Sequence, residues 1–116
     1  MIALDIDGTV LLESGEMNDV VIDAVAKVRD AGHEVMLATG RSVAMTLPIL
    51  RKLGLKPEYV VCSNGAITLK RDPLADGGYA REFVEMFNPK EVLTSIKQHL
   101  GSANYAVEDA TGKFFV

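Results

Sequence analysis

The chain has 116 residues, of which 48% are hydrophobic and 24% are charged; this size and composition fit one compact domain and exclude a disordered or low-complexity chain. Twelve basic against sixteen acidic residues give a formal net charge of −4, which argues against partners such as nucleic acid or an anionic membrane surface. The single cysteine, Cys62, cannot form an internal disulfide, and we find neither an apolar run of membrane-spanning length nor a secretory signal, so we expect a cytoplasmic protein.

Strands and helices alternate through the first part of the chain. The predicted elements are a strand over 2–6, a small hairpin over 10–16, a helix over 18–31, a strand over 35–38, a helix over 42–53 and a strand over 59–62. Asn18 and Ser42 are N-caps, and Gly32 and Gly54 end the two helices, while Pro48 predicts a kink or a later helix start. This order predicts a right-handed βαβαβ unit with a parallel sheet, which is a partial Rossmann-like α/β fold.

The pattern changes after Gly65. An exposed strand is predicted over 66–70, a loop over 72–78, and a helix from Asn88 to Leu100 that has Pro89 in its first turn. Residues 105–116 then predict a hairpin with its turn at 109–112. Because this segment differs from the first, we place a boundary near residues 72–83 and predict two units, 1–82 and 83–116.

Polar residues follow each of the three predicted parallel strands, and ligands of open α/β sheets bind beyond these carboxyl ends. The candidate site residues are Asp5, Asp7, Gly8, Thr9, Thr39, Gly40, Arg41 and Asn64. Two carboxylates at one strand end can divide the work, one as nucleophile and metal ligand and the other as acid and base. Glycines let backbone N–H groups approach an anion, and the threonine hydroxyls add donors.

Three segments in this order resemble the haloacid dehalogenase-like phosphatase superfamily. They are Leu4-Asp5-Ile6-Asp7-Gly8-Thr9-Val10, Leu37-Ala38-Thr39-Gly40-Arg41 and Ser63-Asn64-Gly65-Ala66. Together they are similar to the branch often called Cof-like, whose members mostly dephosphorylate small phosphorylated metabolites, including sugar phosphates. The resemblance covers residues 1 to about 70 well and the remainder only as the start of an α/β cap domain.

The resemblance implies a role for each matching position. Asp5 would attack phosphorus and form an aspartyl-phosphate, and Asp7 would protonate the leaving oxygen and then take a proton from water. Mg²⁺ would lie between the Asp5 carboxylate and the backbone carbonyl of Asp7. The remaining positions would bind the phosphoryl group or the substrate; these are Gly8, Thr9, Thr39, Gly40, Arg41 and Asn64.

Members of this superfamily also need a lysine on a later strand and a further acidic motif, and nothing after residue 70 fits either. We therefore interpret the chain as an amino-terminal fragment that is inactive alone, in a parent that is a magnesium-dependent phosphomonoesterase. Alternatives are a non-catalytic binding or assembly module and a phosphomutase of the same fold. It also remains open whether residues 39–41 are an ordinary strand-to-helix turn and whether Asn64-Gly65 is an ordinary hairpin turn, each without a functional role. If β-strand 2–4 lacks a neighbour from the rest of the parent, we expect self-association through this edge.

Overall fold

The computed structural model describes residues 1–101, 104–108 and 113–116. Its strands are β1 (Ile2–Leu4), β2 (Val35–Leu37), β3 (Tyr59–Cys62), β4 (Ile67–Arg71), β5 (Tyr79–Val84), β6 (Val107–Glu108) and β7 (Phe114–Phe115). Its helices are α1 (Asp19–Asp30), α2 (Val43–Lys52) and α3 (Pro89–Leu100). None of these helices is long and apolar enough to cross a membrane.

The first three strands run parallel, as the alternation of strands and helices predicts. β1 and β2 form a parallel ladder from the pair Ile2–Val35 to the pair Leu4–Leu37. A single parallel bridge joins the end of β2 to β3, where the Thr39 N–H donates to the Val61 carbonyl at 2.9 Å. All three residues of β2 are buried, which is typical of a central strand covered on both faces. The α/β fold class is therefore confirmed.

Each helix begins at a side-chain cap that the sequence predicts. Asn18 accepts from the N–H of Val20, and Ser42 accepts from the N–H of Met45. Helix α3 begins after Asn88, whose side chain accepts two backbone N–H groups of the first turn. Helix α2 starts at Val43 and continues through Pro48, so the later start considered for this helix is wrong.

Two antiparallel strands follow β3, in the order β3-β4-β5. In β4, Ile67 and Leu69 are buried beneath 4% exposure, so the expectation of an exposed strand over 66–70 is wrong. Alternate side chains of the strand belong to the same buried cluster as Leu50 of α2, so one face of β4 enters the core. β5 extends to Val84 and pairs with β4, so the boundary predicted between residues 82 and 83 falls inside β5.

One apolar core lies between the sheet and helices α1 and α2. The largest side chains with less than 2% exposure include Ile6, Leu37, Leu50 and Leu69. Ile6 is the apolar residue between the two aspartates that follow β1, and its complete burial anchors this segment to the core. The core therefore fixes the backbone at the point where the candidate site begins.

The last segment consists of α3 and the short antiparallel pair of β6 and β7. Leu93 of α3 is buried, and the helix ends at Gly101, which has a φ of 67°. The two strands confirm the predicted hairpin pairing, whereas its turn at 109–112 lies outside the described residues. Within this segment, α3 packs against both β6 and β7.

Candidate active site

Asp5 follows directly after β1, at the end of the sheet where β2 also ends. The carbonyl of Leu4 accepts from the N–H of Ala38 at 2.9 Å, so the residues after the two strands start from adjacent positions. Asp5 is exposed, and its carboxylate has no hydrogen-bond or salt-bridge partner among the described residues. A carboxylate in this state is open to solvent, to a cation and to an incoming electrophile.

The turn after β1 is organised by the carbonyl of Ile6. This oxygen accepts the N–H groups of Thr9, Val10 and Leu11 at 2.9–3.2 Å, and the Gly8 N–H donates to the carbonyl of Leu11 at 3.1 Å. The N–H groups of Gly8 and Thr9, which the resemblance assigns to phosphoryl binding, are therefore occupied inside the turn. Gly8 has a φ of 77°, a left-handed conformation that favours glycine and lets the chain turn there.

Arg41 forms a two-pronged ion pair with Asp7. Its Nη2 donates to Oδ1 at 2.7 Å and its Nε donates to Oδ2 at 2.9 Å, the fork geometry that guanidinium and carboxylate groups favour. The hydrogen bonds from Arg41 hold the pKa of the Asp7 carboxyl below its usual value of 3.8, because they stabilise the charged form. The pair joins the segment after β1 to the loop after β2, a contact that the sequence reasoning missed.

Thr39 lies at the end of β2 and is buried to 5% exposure. Its backbone N–H donates to the Val61 carbonyl, and its Oγ1 accepts from the N–H of Arg41 at 3.1 Å. A threonine hydroxyl can accept and donate at the same time. The hydroxyl proton therefore remains for an anion placed beyond the strand end, while the accepted bond holds the loop in a turn.

The loop after β3 is bonded to the loop after β2. The Ser63 N–H donates to the Arg41 carbonyl at 2.8 Å, and the Asn64 N–H donates to the Thr39 carbonyl at 3.1 Å. A Cβ on Gly40 would lie 2.8 Å from the Asn64 Oδ1, a distance that side-chain carbons do not tolerate. Any side chain at position 40 would therefore displace the Asn64 side chain from its present position.

Asn64 and Gly65 also form the turn of a hairpin. β3 and β4 are antiparallel neighbours with the closing pair Cys62–Ile67, and the chain reverses over 63–66. Ser63 and Asn64 have positive φ values of 50° and 55°, which non-glycine residues adopt rarely. Here the carbonyls of Arg41 and Thr39 bind the N–H groups of both residues, and these bonds offset the strain.

All three motifs therefore meet at one end of the sheet. Hydrogen bonds and the ion pair link Asp7, Thr39, Arg41 and Asn64, and Asp5 follows β1 at the same end of the sheet. Oxygen ligands suit Mg²⁺, and the Asp5 carboxylate and Asp7 carbonyl offer two. Within the described residues there is no group of three or more His, Cys, Asp or Glu residues that could hold a metal. The described residues therefore offer two oxygen atoms that suit this ion.

Comparison with known proteins gives consistent matches. The sequence model of the haloacid dehalogenase-like hydrolase family matches residues 2–109. Pyridoxal phosphate phosphatase YbhA of Escherichia coli is 30% identical over 99 residues, which are 79% of this chain and 36% of that protein. Phosphatase YwpJ of Bacillus subtilis is 30% identical over 113 residues, which are 97% of this chain and 36% of that protein.

The solved structures agree with the sequence relatives. A haloacid dehalogenase-like hydrolase of B. subtilis superposes with a TM-score of 0.62 at 25% identity, over 84% of this chain and 32% of that one. The chain thus spans about a third of the length of each of these three proteins.

Proposed function

The chain belongs to the haloacid dehalogenase-like hydrolases, and we propose that its full-length parent is a magnesium-dependent phosphomonoesterase for small phosphorylated metabolites. The observation that carries this proposal is that the carboxylates of Asp5 and Asp7 have different surroundings. Asp5 is exposed and without a partner among the described residues, as a nucleophile must be, whereas Asp7 is held by Arg41 at 2.7 and 2.9 Å. Two carboxylates in unlike environments can take unlike roles.

The first step that we propose is attack of an Asp5 carboxylate oxygen on phosphorus. A bond forms between this oxygen and phosphorus, the ester bond breaks, and Asp7 donates a proton to the leaving oxygen. Water then attacks the aspartyl-phosphate, Asp7 takes the proton of the water, and phosphate leaves. Because Arg41 stabilises the charged Asp7 carboxylate, its guanidinium must move away from Asp7 before the proton donation.

The remaining predicted residues bind and orient the phosphoryl group in this proposal. The buried Thr39 hydroxyl donates its free proton to a phosphoryl oxygen, and the Gly40 backbone lies beside it. Arg41, once released from Asp7, and Asn64 lie in the joined loops after β2 and β3 and would contact the substrate. Phosphoryl transfer depends mainly on such positioning and charge stabilisation.

Mg²⁺ would be held by the Asp5 carboxylate and the Asp7 backbone carbonyl. When bound, the ion would offset the repulsion between the Asp5 carboxylate and the phosphate. The described part of the chain contains no acidic cluster of three for this ion, so we propose that the rest of the parent supplies the other protein ligands and a lysine. The 116-residue chain alone would therefore be inactive.

Two features support the substrate class and the setting. YbhA is by name a phosphatase of pyridoxal phosphate, a small phosphorylated metabolite, and we extend that class, including sugar phosphates, to this parent. Cys62 is buried and is the chain's single cysteine, in accordance with a cytoplasmic location. We also propose that the boundary to a cap domain follows β5, within 85–88.

The test is hydrolysis of a generic phosphate ester by the full-length protein, with and without Mg²⁺. Asp5→Asn should lower kcat by about a thousandfold or more, because an amide cannot act as the nucleophile. Asp23→Asn is the matched control, since Asp23 is an exposed residue of α1 and should leave kcat unchanged. Acid quenching followed by peptide mass spectrometry should find phosphate on Asp5.

Two results would contradict the proposal. Activity that survives Asp5→Asn would exclude the aspartyl-phosphate route, and activity unaffected by chelation would exclude magnesium. Transfer of phosphate within the substrate, without release, would identify the phosphomutase alternative. Turnover by the 116-residue chain itself would show that the site needs no further residues, whereas an inactive full-length protein would favour the binding or assembly module.

A further inference from the structure

A second cavity lies at the opposite end of the sheet from the candidate active site. It has a volume of about 510 Å³ and is enclosed by the carboxyl end of α2, the residues before β3, and the loop between β4 and β5. β3 begins beside this cavity and ends at Cys62, directly before Ser63 of the third motif, so the length of the strand separates the two. We call it the basic cavity, and none of the residues of the three motifs lines it.

The floor of the basic cavity is apolar. Leu50 and Leu55 are less than 5% exposed, and Leu47 packs against the same core. Tyr79 closes one side, and its hydroxyl donates to the Pro57 carbonyl at 2.7 Å, which fixes the ring. Burial raises the pKa of this tyrosine, so the ring is neutral and presents an apolar face. The floor therefore suits the carbon part of a ligand.

Three cationic side chains line the same cavity: Arg51, Lys56 and Arg71. No acidic residue is among the residues that line it. Within the described ranges, none of the three forms a salt bridge or a side-chain hydrogen bond, although the chain has an excess of four acidic charges. Three unpaired cations over an apolar floor attract an anion that carries more than one charge.

The loop that covers the basic cavity is already ordered by its own contacts. The Asp72 N–H donates to the Gly78 carbonyl at 2.9 Å, and the Asp72 side chain accepts from the N–H of Leu74 at 3.0 Å. A Cβ on Gly77 would lie 3.2 Å from a Leu47 methyl carbon, at a φ of 71°, so the loop backbone rests directly on α2. A ligand would enter a preformed cavity, which lowers the entropy lost on binding.

We propose that the basic cavity binds a small organic phosphate whose carbon part is apolar. The phosphate would contact Arg51 and Arg71, whose planar guanidinium groups match two phosphate oxygens at once, with Lys56 as a third positive charge. The apolar part would lie on the leucine floor beside the Tyr79 ring. This binding goes beyond the proposed hydrolysis and does not depend on it, since the two sites share no residue.

The test is a titration of the isotope-labelled full-length protein with phenylphosphonate, followed by the amide signals of each residue. The probe has an apolar ring and a doubly charged group, and its carbon–phosphorus bond resists hydrolysis. We expect saturable shifts of the amides of Leu50, Leu55 and Tyr79. The double variant Arg51→Ala/Arg71→Ala should raise the dissociation constant at this site about tenfold or more.

Two controls test separately the position of the positive charges and the contribution of the apolar floor. Arg81→Ala removes the same charge from β5, where Arg81 is exposed and lies outside the cavity lining, and should leave the dissociation constant within about twofold. Inorganic phosphate should bind the cavity about tenfold more weakly than phenylphosphonate, because it lacks the ring. Unshifted cavity amides, equal affinity of the double variant, or equal affinity for the two anions would each overturn the proposal.

Discussion

β1 and β5 form the two edges of the described sheet, and they are built in opposite ways. β5 has six residues and carries Arg81 and Glu82, which are both exposed, and its register with β4 shifts at Leu69. β1 has three residues, none of them charged, and no described strand pairs with its outer side. Charges and irregular pairing are how proteins protect a sheet edge from other strands.

The difference continues in the surroundings of β1. An almost wholly apolar cavity of about 290 Å³ runs between β1 and α1, lined by Ile2, Leu4 and the valines of α1. Beside β5 the chain instead exposes charged side chains. We infer that β5 is a true edge, whereas β1 is covered in the full-length parent by a further strand and helix. Because Asp5 directly follows β1, we expect the element that covers β1 to approach the candidate active site as well.

The largest effects that test this comparison are losses of stability in the full-length protein. Leu69→Ala should lower the free energy of unfolding by about 2–5 kcal/mol, because Leu69 is 2% exposed in the core. Ile2 is 37% exposed here, yet if β1 is covered in the parent, Ile2→Ala should cost about 2 kcal/mol or more. Urea denaturation measures all three variants, including the control Phe83→Ala.

Phe83 is the matched residue on the other edge, with 51% exposure on β5. Phe83→Ala should cost less than about 1 kcal/mol, because its side chain stays largely in water. If Ile2→Ala costs as little as Phe83→Ala in the full-length protein, β1 is a free edge and the inference from its composition is wrong.

The contrast between these two edges also shows how far sequence reasoning reached. The helix caps at Asn18, Ser42 and Asn88 could be predicted, because a cap depends on residues within one turn. The burial of Ile67 and Leu69 in β4 was not predicted, because it depends on a core whose other members are distant in sequence. Local sequence patterns determine where a helix or strand begins. Which of its faces is buried depends on the distant segments that pack against it.

The same limit applies to the candidate active site. The three strand-end motifs were located from sequence alone, because parallel strands bring their carboxyl ends together. The ion pair of Asp7 and Arg41 was missed, as it joins residues 34 positions apart. Its only signal in the sequence was that an aspartate and an arginine each follow one of two neighbouring predicted strands. Likewise, the sequence did not reveal that the N–H groups of Gly8 and Thr9 bond within their own turn.

Self-association of the isolated 116-residue chain is the next test of the two edges. We propose that the outer side of β1 pairs with a second copy when the rest of the parent is absent. Ile2→Lys should weaken this association about tenfold, because a buried charge opposes pairing, whereas Phe83→Lys on β5 should change it by less than about twofold. Sedimentation at several concentrations measures both variants, and a wild-type chain that stays monomeric would contradict the proposal.

The smallest effect concerns the ion pair that ties the segment after β1 to the loop after β2. Arg41 lowers the folded-state pKa of Asp7 below its usual 3.8, so the pair stabilises the fold at pH values above 3.8 and this contribution disappears as the pH falls through the lowered pKa. Arg41→Ala should return the pKa of Asp7 towards its usual value, and Arg41→Lys should do so only partly, because lysine cannot form the two-pronged contact.

Titration of the Asp7 carboxyl carbon signal in magnesium-free full-length protein measures this shift. The matched control is Arg81→Ala, which removes one positive charge from the protected edge at β5 and should leave the Asp7 titration unchanged. If Arg41→Ala and Arg81→Ala give the same midpoint as the wild type, the element that covers β1 has already drawn Arg41 away from Asp7. The ion pair would then form only when β1 lacks its further neighbour. In the full-length protein, Asp7 would donate its proton without any movement of Arg41.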